Sequence, residues 1–169
     1  IESAVRACKL YGGEGFLLTD WGDGGNPQFL PASLLLYVYG ASCSWNLTTV
    51  TDCRYNYISN CKEFALIKWC EEYVDEFIFK AKGIGKLLHK MANYYLLENN
   101  NYFNGTLLWC NFPNINSHPL YRHDKEDVKM IITYMNGILE ELSQYSDSVP
   151  YIEEIRCNCE MVIVFSKYI

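Results

Sequence analysis

Eight cysteines distributed along the whole chain are the sequence feature that most constrains its fold. They are Cys8, Cys43, Cys53, Cys61, Cys70, Cys110, Cys157 and Cys159. An even number of cysteines is typical of a disulfide framework in an oxidising compartment, although the sequence leaves the pairing open. A zinc site would need two closely spaced cysteine pairs, and only Cys157 and Cys159 are close in sequence. We therefore predict that disulfides join these residues within one extracellular domain spanning residues 1–169.

Two possible glycosylation sites agree with an oxidising compartment. Asn46 and Asn104 each begin an Asn-x-Thr tripeptide without proline, which is the acceptor sequence for N-linked glycans in secreted proteins. A glycan needs an exposed attachment point, so we expect both asparagines at the surface. The predicted location is secreted or extracellular, which includes the ectodomain of a virion or cell-surface protein.

Charge and hydrophobicity argue against two kinds of partner. The formal net charge is -6 at pH 7, and the lysines and arginines are scattered, whereas nucleic-acid-binding proteins concentrate basic residues on one face. No apolar segment approaches the roughly 18 residues that a membrane helix needs. Half of the residues are hydrophobic, which is enough for a packed core. We expect no nucleic-acid partner and no membrane insertion by this segment.

Alternating apolar and polar residues predict β-strands at several places. The clearest are residues 33–45 and residues 155–165, where every second residue is apolar. Residues 16–21 and 106–112 are shorter candidates. In a terminal strand, Cys157 and Cys159 would point the same way, so each would need a different disulfide partner.

Between these segments the hydrophobic period becomes helical. Residues 62–81, 86–98 and 124–142 have apolar residues at steps of three and four, and Asp124 is a candidate N-cap. The first helix is predicted to bury Phe64, Ile67, Cys70, Val74, Phe77, Ile78 and Ala81. Together the segments predict an α+β fold: a disulfide-stabilised mixed or antiparallel sheet with two to three helices packed on one face.

Few residues suggest catalysis. The sequence contains no phosphate-binding loop, nucleophile elbow, zinc-protease motif or dinucleotide fingerprint. The best acid–base candidates are His118 and His123, which share a loop with Asp124. The glycine-rich turn at residues 20–26 lacks the oxygen-ligand spacing of a calcium loop. We predict no catalytic residue, no metal site and no cofactor.

Tyrosine is the most suggestive residue type for function. The chain has 14 tyrosines, and several lie beside Asn or Ser in predicted loops. Tyrosine gives a large, stiff and amphipathic contact surface, and it is enriched in recognition sites. The predicted interface residues are Tyr55, Tyr57, Tyr102 and Phe103.

The sequence therefore predicts a non-enzymatic extracellular protein-recognition domain that binds a cell-surface or secreted protein partner. The receptor-binding head of a viral or parasite surface glycoprotein and a secreted immune modulator are examples of this class. Two alternatives remain open. One is a secreted carrier of a small hydrophobic ligand, and the other is a secreted hydrolase that uses the loop from His118 to Asp124.

Overall fold

The computed structural model describes residues 1–20, 29–45, 60–97 and 125–167, and within these ranges the chain is all-helical, with no strand. The six α-helices of the described ranges are α1 (Glu2–Leu10), α2 (Leu30–Trp45), α3 (Asn60–Tyr73), α4 (Ile84–Ala92), α5 (Lys125–Leu142) and α6 (Ile152–Lys167). A π-helix, Val74–Phe79, continues α3, and a 3-10 helix, Tyr94–Leu97, follows α4. The predicted α+β fold with a sheet is therefore wrong. None of the described helices is long and apolar enough to cross a membrane.

The described residues form two compact units. The first contains residues 1–20, 33–45 and 60–86, and the second contains residues 29–32, 87–97 and 125–167. In the first unit, one small cluster joins α1, α2 and α3. Its members are Val5, Cys43, Ile1, Phe16, Tyr39 and Leu66.

Helix α2 occupies the segment predicted as the first long strand. Its apolar residues lie on nearly all sides of the helix. The buried side chains of α2 include Leu35, Cys43 and the polar Ser33. An apolar run of this kind cannot be assigned to strand or helix by periodicity alone. Pro31 lies in the first turn, where a missing N–H breaks no hydrogen bond within the helix.

Helix α6 occupies the segment predicted as the terminal strand. Residues 155–165 alternate between apolar and polar, but the same segment also has a helical pattern. The positions that the structure buries recur at steps of three and four. They are Ile152, Ile155, Asn158, Cys159, Val162, Ile163 and Ser166. Each residue of an α-helix is rotated by about 100° from the one before it, so residues two apart point to nearly opposite sides. Cys159 is therefore buried while Cys157 is only half-buried, and the prediction that both share one face is wrong.

Helices α5 and α6 form a hairpin in the second unit. The third predicted helix is confirmed by α5, which buries Ile131, Met135, Ile138 and Leu142. Three contacts between described residues attach α4 to the hairpin, and one is an ion pair between Lys90 and Glu141 at 2.5 Å. The Cys159 thiol lies 3.5 Å from the Met91 sulfur, and the Tyr134 hydroxyl donates a 2.9 Å hydrogen bond to the Lys90 carbonyl.

Arg156 closes this hairpin. Its guanidinium donates to the carbonyls of Leu142, at 3.2 Å, and Tyr145, at 2.7 Å. The Leu142 carbonyl lies at the end of α5 and also accepts the backbone N–H of Tyr145 at 3.1 Å, and the Tyr145 carbonyl lies in the turn that follows. The same guanidinium contacts Asp147 at 2.5 Å and also Glu153. The hydrogen bond from Arg156 lowers the pKa of the Asp147 carboxyl, and its positive charge acts in the same direction.

A tight turn joins the π-helix to α4 in the first unit. The Asp75 carboxylate accepts the backbone N–H of Gly83 at 2.5 Å and that of Gly85 at 2.7 Å, so it caps the start of α4. Gly85 lies directly against the backbone of Glu71. A Cβ at residue 85 would lie 2.4 Å from the Glu71 carbonyl oxygen and 2.6 Å from its Cα. Only glycine fits here without moving a neighbour.

Candidate functional site

Three aromatic side chains follow one another along one face of α3 and the π-helix. Trp69, Tyr73 and Phe77 are four residues apart, a spacing that makes side chains neighbours on a helix surface. The ring centroids of Trp69 and Tyr73 are 5.3 Å apart, and those of Tyr73 and Phe77 are 4.7 Å apart. Both pairs are tilted by 33°, within the range of favourable aromatic contacts. We call these three residues the aromatic ladder.

The aromatic ladder is open to solvent. Trp69 is 49% exposed, Tyr73 37% and Phe77 55%, and the lowest value belongs to the central ring, which is covered on both sides by its neighbours. By contrast, typical surface apolar residues are scattered singly. Three adjacent exposed rings therefore form a surface feature that packing of the described chain does not explain.

The π-helix explains why Phe77 is exposed although the sequence predicted it on the buried face. The buried positions are Cys70, Val74 and Phe79, at intervals of four and then five residues. A π-helix has i→i+5 hydrogen bonds, so it accommodates one more residue before the chain returns to the same face. The extra residue moves the buried position to Phe79 and leaves Phe77 on the outside. The helical prediction for residues 62–81 is confirmed, but its buried stripe is wrong at this residue.

A cation already lies at one end of the aromatic ladder. The Lys80 ammonium is 5.6 Å from the centre of the Phe77 ring, within the distance at which a cation is attracted to a ring face. Lys80 follows the π-helix directly and has a left-handed backbone with φ of 55°.

Two carboxylates flank the same face. Glu72 and Glu76 each lie three residues after a ring of the aromatic ladder, and both are exposed. Glu72 faces the Lys68 ammonium at 3.9 Å, and both side chains of this pair are more than 60% exposed, at 64% for Lys68 and 67% for Glu72. Such an exposed pair contributes little stability and opens readily.

Most of the residues that the sequence singled out lie outside the described ranges. They are the interface candidates Tyr55, Tyr57, Tyr102 and Phe103, the sequon residues Asn46 and Asn104, and the acid–base candidates His118, His123 and Asp124. Their assignments stay predictions. In contrast, the aromatic ladder lies in the described part and was missed, although its spacing of four residues is visible in the sequence.

Disulfide stabilisation was expected, and the described cysteines contradict it. Cys8, Cys43, Cys70, Cys157 and Cys159 are all free. Cys53, Cys110 and the side chain of Cys61 lie outside the described part of the chain. At the C-terminal end, Cys159 packs against the Met91 sulfur, 3.5 Å away, instead of bonding to another cysteine.

The buried cysteines instead act as small apolar residues. Cys43, Cys70 and Cys159 are fully buried. Burial raises the pKa of the Cys43 and Cys70 thiols, and it raises that of Cys159 to about 12. A thiol with a raised pKa is a poor nucleophile and a poor metal ligand at neutral pH. Among the described side chains, no group of three or more His, Cys, Asp or Glu could hold a metal ion.

Comparison with known proteins provides no family from which a function could be transferred to this chain. The aromatic ladder and the sequence patterns are therefore the basis for a functional proposal. The chain matches no protein-family model, no curated protein and no solved structure.

Proposed function

We propose that this chain is a non-enzymatic domain that recognises a protein partner at a cell surface or in the extracellular space, and that the aromatic ladder is part of its contact surface. The main support is the continuous exposure of Trp69, Tyr73 and Phe77. Aromatic residues are enriched at the centres of protein interfaces, and tryptophan and tyrosine are among the residues whose removal weakens binding most.

The geometry of the aromatic ladder suits a binding surface. The rings contact one another, so their side-chain conformations are already restricted before a partner arrives. Ordering flexible side chains opposes association, and a pre-ordered surface avoids part of that cost. From Trp69 to Phe77 the helix rises roughly 12 Å, at about 1.5 Å per residue. This length suits the centre of an interface, which a rim of polar residues would surround.

The extracellular part of the proposal depends on the two sequons, because the described cysteines are free. Expression in a glycosylating cell line, followed by glycosidase treatment and mass spectrometry, tests it directly. Loss of mass at peptides containing Asn46 and Asn104 is the expected result. Unmodified asparagines at both sites would contradict the extracellular assignment without affecting the aromatic ladder.

Binding to cells tests the recognition function. Fluorescent multimers of the protein are incubated with a panel of cell lines, with and without prior protease treatment of the cells. We expect protease-sensitive staining of some lines. Trp69→Ala and Phe77→Ala should each lower the apparent affinity about tenfold or more, as expected when a central aromatic residue of an interface is truncated.

Tyr11→Ala is the matched control. Tyr11 is 84% exposed and lies outside the aromatic ladder, so its removal should leave staining unchanged. Circular dichroism of each variant confirms that the helices remain folded. Staining that survives both ladder substitutions would exclude the aromatic ladder as the contact surface. The loop residues Tyr55 and Tyr57 would then become the next substitutions to make.

A further inference from the structure

The aromatic ladder presents ring faces together with negative charge. The position of Lys80 over Phe77 shows that a ring face at its end is open to an ammonium group. A ring face is electron-rich and attracts cations, and tryptophan and tyrosine do so at least as well as phenylalanine. Tyr73 is covered on both sides by its neighbours, whereas Trp69, at the other end of the ladder, contacts only Tyr73 among the ladder rings and is 49% exposed, so one of its faces is open to a cation from another molecule.

The carboxylates beside the rings differ in whether they already bind other groups of the chain. Asp75 is engaged, because its two oxygens accept the backbone N–H groups of Gly83 and Gly85. Among contacts between described residues, Glu72 forms a weak, exposed ion pair with Lys68. Glu76 is exposed and forms no ion pair with another described residue. Within the described part of the chain, Glu72, through its weak pair with Lys68, and Glu76 are therefore carboxylates that can receive a positively charged group at the ladder.

We propose that the partner docks a basic segment on the aromatic ladder, with an arginine side chain stacked on Trp69 and the positive charge of the segment facing Glu72 and Glu76. Arginine fits both requirements, because its planar guanidinium stacks on aromatic rings and also forms paired hydrogen bonds with carboxylates. The formal net charge of -6 on the chain adds a general attraction for such a segment. This inference rests on the proposed function and specifies the chemistry of the partner.

A peptide-binding experiment tests the inference without knowledge of the natural partner. The probe is a fluorescent glycine–serine peptide that contains several arginines, and its control contains citrulline, a neutral analogue, at the same positions. Fluorescence anisotropy gives the affinity of each peptide for the full chain. We expect saturable binding of the arginine peptide and at least tenfold weaker binding of the citrulline peptide.

Substitutions then localise the binding. Trp69→Ala should lower affinity for the arginine peptide about two- to fivefold, the range for one exposed cation–π contact. The double variant Glu72→Gln/Glu76→Gln should lower it by a similar factor or more. The matched control is Glu140→Gln/Glu160→Gln, which makes the same change in net charge at exposed positions of α5 and α6. This control should bind like the parent protein, apart from a small effect of net charge.

The possible outcomes are distinct. Equal weakening by the two double variants would mean non-specific attraction by net charge and would overturn the inference. Absence of saturable binding, or equal affinity for the citrulline peptide, would also overturn it. Failure of the proposed function has a different signature, because it is measured by cell staining: staining that needs Trp69 and Phe77 but not Glu72 and Glu76 would keep the function and reject the basic segment.

Discussion

Because Gly85 lies directly against the Glu71 backbone, adding a single methyl group at residue 85 should destabilise the protein. Replacing Gly85 with alanine would place a Cβ 2.4 Å from the Glu71 carbonyl oxygen and 2.6 Å from its Cα. Both are backbone atoms and cannot rotate away, so the cost should lie near the upper end of the range for overpacking, about 3 kcal/mol. Alanine recovers up to about 1 kcal/mol of helix propensity. The expected net destabilisation is therefore about 2 kcal/mol.

Gly137 gives the matched control for the same substitution. It lies inside α5, is exposed, and a Cβ there would have no neighbour within 4 Å. Gly137→Ala should therefore stabilise the protein by about 0.5–1 kcal/mol through helix propensity alone. The two substitutions are chemically identical and should have opposite signs.

Thermal and urea unfolding, followed by circular dichroism, measure both variants. For a chain of this length, the melting temperature should fall by about 4–8 °C in Gly85→Ala and rise by about 1–4 °C in Gly137→Ala. A Gly85→Ala protein as stable as the parent would refute the close approach of α4 to α3.

Three further expectations follow from the described contacts. Arg156→Met should destabilise the protein by about 2 kcal/mol in urea unfolding, because the carbonyls of Leu142 and Tyr145 each lose a hydrogen bond from a charged donor. Arg6→Met, which removes an exposed ion pair, should cost less than about 0.5 kcal/mol, and equal effects would contradict the role of Arg156. Asp147→Asn should lower the melting temperature at neutral pH and have little effect near about pH 2. The pKa of Asp147 is lower in the folded protein than in the unfolded chain, where it is about 3.9. Ionised Asp147 therefore stabilises the fold above about pH 3.9, and this stabilisation is lost as the pH falls through the folded-state pKa. A difference in melting temperature between Asp147→Asn and the parent protein that does not change with pH would disprove this linkage. Brief alkylation with iodoacetamide should modify the half-buried Cys8 and Cys157 but spare Cys43, Cys70 and Cys159 until the protein is unfolded, as read by peptide mass spectrometry; rapid modification of a buried thiol would contradict the described core.

The helices with one clear apolar stripe were predictable from the sequence. In α5 the buried residues Ile131, Met135, Ile138 and Leu142 recur at steps of three and four, and no other period fits them. In α6 two periods competed. Residues 155–165 alternate for more than ten residues, yet the residues that the structure buries follow the helical spacing from Ile152 to Ser166. Tertiary packing of α6 against α5 decided between them, and a single sequence does not contain that information directly.

The aromatic ladder was only partly accessible to sequence reasoning. The spacing of Trp69, Tyr73 and Phe77 is plain in the sequence, but aromatic residues at helical spacing usually belong to a core. Whether they face the core depends on the π-helix, which moves burial from Phe77 to Phe79. No local residue preference signals such a helix. The exposure of the ladder therefore required a structure.

The π-helix at Val74–Phe79 makes the length of this segment as important as its residue types. Deleting one residue would restore the ordinary α-helical repeat and rotate everything after it by about 100° relative to α3. Phe77 and Lys80 would leave the line set by Trp69 and Tyr73, and the chain leading to Gly83 would no longer reach Asp75 in the same register. Conservative substitutions should be tolerated on this surface far better than a change in residue number. Among related chains, insertions and deletions should consequently avoid this segment even where its side chains vary.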